Sequence, residues 1–184
     1  MTGSDRILFD ACTLENFVVV GRLDLLQTLY EGKCGWTDGI EMDIRRGLAE
    51  RPHLQPLIGA AWLGTPIAAD DPLAVQRIDR IRRGLGGSPG LPMQHLGEAQ
   101  TIYHLGAVEP TAIFATDDRD AYNTAQRRGI HVIDTSEILG KCYEAAMLGC
   151  PDAYELLHKM AAAGRGVAVP PSHWYICPPV APER

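Results

Sequence analysis

The sequence predicts an α/β fold, in which helices cover both faces of a central and mainly parallel sheet. Short apolar segments that are typical of buried strands alternate along the chain with longer segments of helical spacing. The chain has 184 residues, of which 46% are hydrophobic, and this is enough to build one packed domain without help from disulfides. We find no internal repeat and no linker long enough to divide the chain.

The first half of the chain carries three signals that place its elements. The apolar run Ile7-Leu8-Phe9 is typical of a buried strand, and Phe17, Leu25 and Leu29 recur with helical spacing. Asp71-Pro72 favours a helix start. The predicted elements are a strand at 6–9, a helix at 14–29, a strand at 34–37, helices at 38–50 and 54–61, an extended segment at 62–67, and a helix from 71 to about 85.

The second half of the chain repeats the alternation of helix and strand. Its predicted elements are a loop at 84–92, a helix at 94–105, a strand at 111–116, a helix at 119–128 closed by Gly129, a strand at 130–133, and two helices that end near Gly149 and Gly164. From residue 169 onward the chain is rich in proline. We expect this tail to be irregular and ordered by the packing of Trp174 and Tyr175.

Composition limits the classes of function. A net charge of −6 opposes nucleic-acid binding, but a site made of several carboxylates makes a sequence acidic and needs a cation before a phosphate can approach. The five cysteines are scattered without a CxxC pair, which predicts neither a disulfide framework nor a structural zinc site. The apolar run near the N-terminus is too short for a signal peptide or a membrane span, so we expect a cytoplasmic protein.

Acidic residues follow two of the predicted strands. Asp10 comes directly after the first strand, and Asp117, Asp118 and Asp120 follow the strand at 111–116. Sites in parallel sheets form at the carboxyl ends of strands, and oxygen-only ligands favour Mg²⁺ or Mn²⁺. These acids therefore predict a divalent-metal site. The alternative for any one of them is a helix N-cap, which needs no metal.

Two predicted helices offer further acids. Glu98 lies at the margin of an apolar stripe and is expected near the rim of the core, although a solvated position is the alternative. Glu41 and Asp43 lie on opposite margins of another stripe, and helical geometry does not choose between them. If Asp38 is the N-cap, Glu41 completes an arrangement like a capping box, which leaves Asp43 without a local role.

Four acidic segments together resemble the PIN-domain nucleases, in the subgroup close to VapC-like toxins. The segments are Ile7-Leu8-Phe9-Asp10-Ala11-Cys12, Ile40-Glu41-Met42-Asp43-Ile44, Gly97-Glu98-Ala99 and Ala115-Thr116-Asp117-Asp118-Arg119-Asp120. In the second segment the family usually has Glu where this chain has Asp43. In the last segment Asp118 is the first choice for the acidic position, with either Asp117 or Asp120 beside it. The resemblance extends over nearly the whole chain.

The resemblance implies a fold and an activity. It implies a PIN-like three-layer sandwich at 1–140, with a C-terminal helical extension at 141–184 packed on the same domain. It implies an endoribonuclease that depends on Mg²⁺ or Mn²⁺, with RNA as substrate, a protein antitoxin as a partner, and a homodimer. The catalytic residues so implied are Asp10, Asp43, Glu98 and Asp118, and the metal ligands are Asp10, Glu98 and Asp118 with Asp117 or Asp120.

Hydroxyl and guanidinium groups are candidates for contacts to the substrate. Thr13 and Thr116 can orient water or phosphate, and helix capping is an equally good interpretation of both residues. Paired arginines can hold an RNA backbone, whereas the alternative is an ordinary solvated helix face. The arginines concerned are Arg45, Arg46, Arg82 and Arg83.

Two other functions compete with the nuclease. Phosphatases of the haloacid-dehalogenase type also have an Asp after the first strand, but they need a second Asp two positions later, where this chain has Cys12. A binding protein that keeps the PIN fold without catalysis is the third hypothesis.

Overall fold

Four parallel strands form the centre of the molecule. The computed structural model describes residues 6–178. The strands are β1 (Ile7–Phe9), β2 (Cys34–Gly35), β3 (Ile113–Ala115) and β4 (His131–Ile133). Their order in the sheet is β2-β1-β3-β4, and every neighbouring pair is parallel. The predicted α/β class with a parallel sheet is confirmed.

Eight α-helices surround the sheet within the described residues. They are α1 (Ala11–Val19), α2 (Leu23–Tyr30), α3 (Asp38–Gly47), α4 (Pro72–Gly84), α5 (Leu96–Ala107), α6 (Arg119–Arg127), α7 (Thr135–Glu144) and α8 (Cys150–Ala162). Short 3₁₀ helices occur at Pro52–Leu57, Ala61–Leu63 and His173–Tyr175. Over residues 6–178, no helix combines the length and the apolar character that a membrane crossing requires.

The strands separate two hydrophobic clusters, as expected when successive side chains point to opposite faces of a sheet. Ile7 and Phe9 of β1 belong to the cluster beneath α1, α2, α3, α7 and α8. Leu8 belongs to the cluster beneath α4, α5 and α6. This arrangement is compatible with a three-layer sandwich. Helix α7 crosses residue 140, and Leu157 of α8 lies in the same cluster as Ile7, so 141–178 pack on the common core.

Three predicted elements of the first half are wrong in detail. The helix expected at 14–29 is broken into α1 and α2 by Gly21, whose φ of +67° is a conformation that glycine adopts most easily. The helix expected at 54–61 is a 3₁₀ helix that contains Pro56, a residue without an amide proton to donate. In the segment expected to be extended, only Ile67 forms a bridge, with Thr37, among the described residues.

The predicted capping box of α3 is also wrong. Thr37 is the N-cap and Asp38 is the first helical residue, so Glu41 does not reach back to an Asp38 cap. Instead the Glu41 carboxylate accepts a hydrogen bond of 2.6 Å from Arg45, one turn later.

The C-terminal segment differs from its prediction in two respects. Cys150 and Cys177 form a disulfide, although the scattered cysteines predicted none. The two cysteines are 27 residues apart, and only the return of the chain past α8 brings them together. The tail up to residue 178 is ordered by burial of Ile176 and Cys177, whereas Trp174 and Tyr175 are exposed. Residues 179–184 of the predicted tail lie outside the described residues.

The strand order identifies the edge of the sheet where a site is expected. From β1 the chain passes to β2 on one side, and β3 then adds on the other side of β1. The connections therefore diverge between β1 and β3, and ligands of open α/β sheets bind in the crevice at the carboxyl ends of such strands. Asp10 follows β1 and Thr116 follows β3 at this edge.

Candidate functional site

A cleft of about 590 Å³ opens at the carboxyl edge of the sheet. Its walls are formed by Asp10 and the start of α1, by Asp118 beyond β3, by α3 and α5, by the loop that precedes α5, and by Arg51 and Arg165. The acidic residues that line it are Asp10, Glu15, Asp43, Glu98 and Asp118. The structure thus brings together in one cleft the four acids that the sequence placed in catalysis.

Asp10 is held rigidly at the bottom of the cleft. It is the N-cap of α1, and its Oδ1 accepts a hydrogen bond of 2.7 Å from the amide of Ala11. Its Oδ2 accepts bonds of 2.7 Å from the Thr116 hydroxyl and 3.0 Å from the Cys12 thiol. Burial, and secondly repulsion by Glu98, raises the pKa of Asp10 to about 7 despite these donors. Capping and a position in the cleft are therefore combined in one residue.

Glu98 projects from the first turn of α5. Burial raises the pKa of this carboxyl, and the charges of Asp118 and Asp43 raise it further, against a hydrogen bond from its own backbone that lowers it. Its Oε1 lies 3.4 Å from Nδ1 of His95, a residue with a left-handed backbone at φ +57°. Glu98 therefore interacts electrostatically with the other acids of the cleft.

Asp118 is the N-cap of α6. Its Oδ1 accepts a hydrogen bond of 2.7 Å from the amide of Ala121, while its own amide donates to the Thr116 hydroxyl over 3.1 Å. Thr116 is fully buried and contacts both Asp10 and Asp118, so it fixes the two acids relative to each other.

Asp117 has a different role from its neighbour, because it points away from the cleft. Its carboxylate accepts bonds from the hydroxyls of Thr13 (2.9 Å) and Thr135 (2.6 Å), the amide of Thr135 (3.1 Å) and the side chain of Asn16 (2.9 Å). Burial raises the pKa of Asp117, and the Thr135 and Thr13 bonds oppose this shift. Asp117 joins β3 to α1 and α7, and Thr13 serves this junction. Asp120 is exposed and does not line the cleft.

The predicted arginines lie in different environments. Arg46 lines the cleft and pairs with Asp43 at 3.0 Å, whereas Arg45 pairs with Glu41 and does not line it. Arg82 is 3% exposed, and its guanidinium donates to Asp79 and to the carbonyls of Ser88 and Leu91. It therefore holds the loop that forms a rim of the cleft and is not available to RNA. Arg83 pairs with Asp79 on the surface of α4.

Four acidic or basic residues of the cleft were not predicted from the sequence. They are Glu15, Arg51, His95 and Arg165. Glu15 gives one signal, since it is an acid beside the apolar Leu14 and Phe17 of the first helix. Arg51 and Arg165 belong to no motif, and only the fold brings them to the cleft.

The acids at the sheet edge of the cleft lack arginine and lysine partners. Within residues 6–178, Asp10, Glu98 and Asp118 have no Arg or Lys within 4.0 Å, and the imidazole of His95 is the basic group beside Glu98. No three Asp, Glu, His or Cys side chains of this part of the chain lie close enough to hold a metal ion together. Carboxylates that share a cleft repel one another, and either a proton or a cation relieves this repulsion.

No protein-family model, curated protein or solved structure matches this chain.

Proposed function

We propose that this chain is a divalent-metal-dependent endoribonuclease of the PIN type. Asp10, Glu98 and Asp118 would hold Mg²⁺ or Mn²⁺, and Asp43 would complete the site. One observation carries the proposal: four carboxylates from four separate elements line one cleft at the edge of the sheet where ligands of parallel α/β folds bind. Metal-assisted hydrolysis of a phosphodiester bond uses oxygen ligands of this kind.

The residues around the carboxylates support this chemistry. A bound divalent ion would supply the positive charge that polarises a phosphoryl oxygen. The chain itself orients Asp10 through Thr116 and Cys12, and it anchors Asp118 through the amide of Ala121. Because Asp10 has a pKa of about 7, cation binding near neutral pH competes with a proton.

The phosphatase hypothesis is less well supported. In that mechanism an acid two residues after the nucleophile protonates the leaving group. Cys12 occupies that position, and burial raises the pKa of its thiol well above the usual value. A thiol that holds its proton so firmly is a poor replacement for a carboxylic acid at neutral pH.

RNA is the proposed substrate. The resemblance also implies two protein partners, an antitoxin and a second copy of the chain. A protein antitoxin would cover the cleft of a toxin, and a homodimer is the expected assembly. Both partners remain proposals that co-purification from the native cell and measurement of solution mass would test.

The direct test is cleavage of single-stranded RNA in Mg²⁺, Mn²⁺ or chelator. We expect cleavage with either metal, none with chelator, and a loss of about a hundredfold or more in Asp10→Asn and Asp118→Asn, because each removes a charge from the ion's ligands. Asp70→Asn is the control, since Asp70 is exposed and lies outside the cleft.

Three results would count against the proposal. Cleavage that persists in chelator and in both cleft variants would exclude the mechanism. Release of phosphate from a small phosphomonoester, with RNA intact, would favour the phosphatase. Folded protein that neither binds the metals nor cuts RNA would favour the catalytically silent binding protein.

A further inference from the structure

Glu15, a buried carboxylate that is not among the proposed metal ligands, pairs with basic side chains at one wall of the cleft. The side chain of Glu15 in α1 is only 4% exposed. Its Oε2 lies 2.9 Å from Nη1 of Arg51 and 3.0 Å from Nη2 of Arg165. Its Oε1 lies 2.9 Å from Nε2 of His53. One negative charge therefore faces two guanidinium groups and an imidazole.

The two arginines have positive charge in excess of what Glu15 neutralises. A single guanidinium would balance the carboxylate, and Asp43, the other acid near Arg51, lies at 3.7 Å and is already paired with Arg46 at 3.0 Å. Arg165 has no acid other than Glu15 within 4.0 Å among residues 6–178. The positive charge that Glu15 does not neutralise therefore lies in the same cleft as Asp10, Glu98 and Asp118, which have no Arg or Lys partner.

Both guanidinium groups are fixed and still reach the cleft. Arg165 donates from Nε to Asn16 over 2.9 Å, and Arg51 packs against Gly47, where any larger residue would displace it. The side chains of Arg51 and Arg165 keep 34% and 20% of their surface exposed, and both line the cleft. Within the described part of the chain, Nε of Arg51 and Nη1 of Arg165 make no hydrogen bond. Unused donors on rigid arginines suit phosphate oxygens.

We propose that Arg51 and Arg165 form a phosphate-binding subsite for a polynucleotide backbone. The subsite would hold a backbone phosphate other than the one at the carboxylates, so that the strand crosses the cleft from the arginines to Asp10 and Asp118. This inference rests on the proposed nuclease function, because it takes the substrate to be a chain of phosphodiesters. Glu15 is then a positioning residue, which orients the arginines without contacting the strand.

Binding of a fluorescein-labelled, ten-nucleotide single-stranded RNA tests the subsite. The measurement uses anisotropy at increasing salt with Mg²⁺ present, in the Asp118→Asn background so that the RNA is not cut. Adding Arg51→Gln or Arg165→Gln should weaken binding about fivefold to tenfold at low salt. Each should also lower the slope of log affinity against log salt by about 0.7, the contribution of one contact to a single strand. Arg127→Gln is the control, because Arg127 lies on α6 outside the cleft.

A second variant separates phosphate binding from a purely structural role. Loss of one arginine removes a partner of buried Glu15 and lowers the stability of the protein. The double variant Glu15→Gln with Arg165→Gln avoids this loss, because it removes the carboxylate and its partner together. The double variant should fold and still bind weakly, as judged by circular dichroism and anisotropy. If the double variant binds RNA as tightly as the Asp118→Asn background does, the arginines only support Glu15, and the subsite is overturned.

The remaining outcomes distinguish the subsite from the nuclease. Folded arginine variants with unchanged affinity and salt slope would overturn the subsite, and so would an Asp118→Asn background that does not bind the RNA. Arginine-dependent binding, together with no cleavage by the unmodified chain in Mn²⁺, would preserve the subsite and refute the nuclease.

Discussion

The two sides of the cleft stabilise buried carboxylates in opposite ways. On the side of α1 and α3, Glu15 is surrounded by Arg51, Arg165 and His53. On the side of the sheet edge, Asp10 and Glu98 have raised pKa values because they are buried and repel other acids. The first side has its countercharge built into the chain, whereas the second requires a proton or a cation from solution. This difference distinguishes an acid that supports the fold from acids that can bind a ligand.

The largest expected effect is on stability, from the removal of Glu15. Glu15→Ala leaves two guanidinium groups close together without their carboxylate, and we expect a loss of about 3 kcal/mol. Glu98→Ala removes a carboxylate that has no Arg or Lys partner, so the loss of stability should be far smaller. Urea unfolding in chelator at pH 8 measures both, with the exposed Glu50→Ala as control. Equal losses for Glu15→Ala and Glu98→Ala would remove the distinction between the two sides.

Metal addition should stabilise the protein through the sheet-edge side alone. At a hundredfold excess of Mn²⁺ over its dissociation constant, the expected gain is about 2.7 kcal/mol, seen as a rise in Tm. Asp10→Asn should abolish this gain, while Arg165→Gln should retain it because Arg165 belongs to the other side. A gain that survives Asp10→Asn would place the metal elsewhere in the molecule.

The pH dependence of stability gives a smaller effect. Asp10 has a pKa of about 7 in the folded protein, above its usual value of 3.8, so between these values the folded state binds a proton that the unfolded state has released. Stability in chelator should therefore fall as pH rises from 4 to 7 and then level off. Asp10→Asn should remove this component, so that its stability relative to the wild type rises over that range by about 1 kcal/mol or more. Asp70→Asn should leave the pH profile unchanged.

The sequence located the parts of the site that depend on local order. Asp10 and the acids at 117–120 could be identified because they follow apolar strands, and the carboxyl ends of parallel strands meet at one edge. The resemblance then singled out Asp118. Glu98 and Asp43 came from the resemblance of short segments, and the structure places both in the cleft. These four acids lie in one cleft because the order of the strands and helices brings their elements together.

Other roles depended on contacts that the spacing of residues in the sequence does not show. Asp117 and Asp118 look alike in the sequence, and only the positions of Thr13, Asn16 and Thr135 turn Asp117 toward the interior. Arg82 resembles a solvated arginine, yet the carbonyls that it contacts come from the loop that follows α4. Such assignments require the tertiary structure, because no local pattern encodes the partners.

The disulfide between Cys150 and Cys177 has a consequence for the cleft. Arg165 lies between these cysteines, inside a covalent ring that begins at the start of α8 and closes in the tail. Arg165 is thus carried by a cyclic segment, and local unfolding between Arg165 and Cys177 cannot separate Cys177 from the start of α8 without opening this bond. The arginine that would bind the substrate is anchored twice, by the ion pair with Glu15 and by the connectivity of the chain itself.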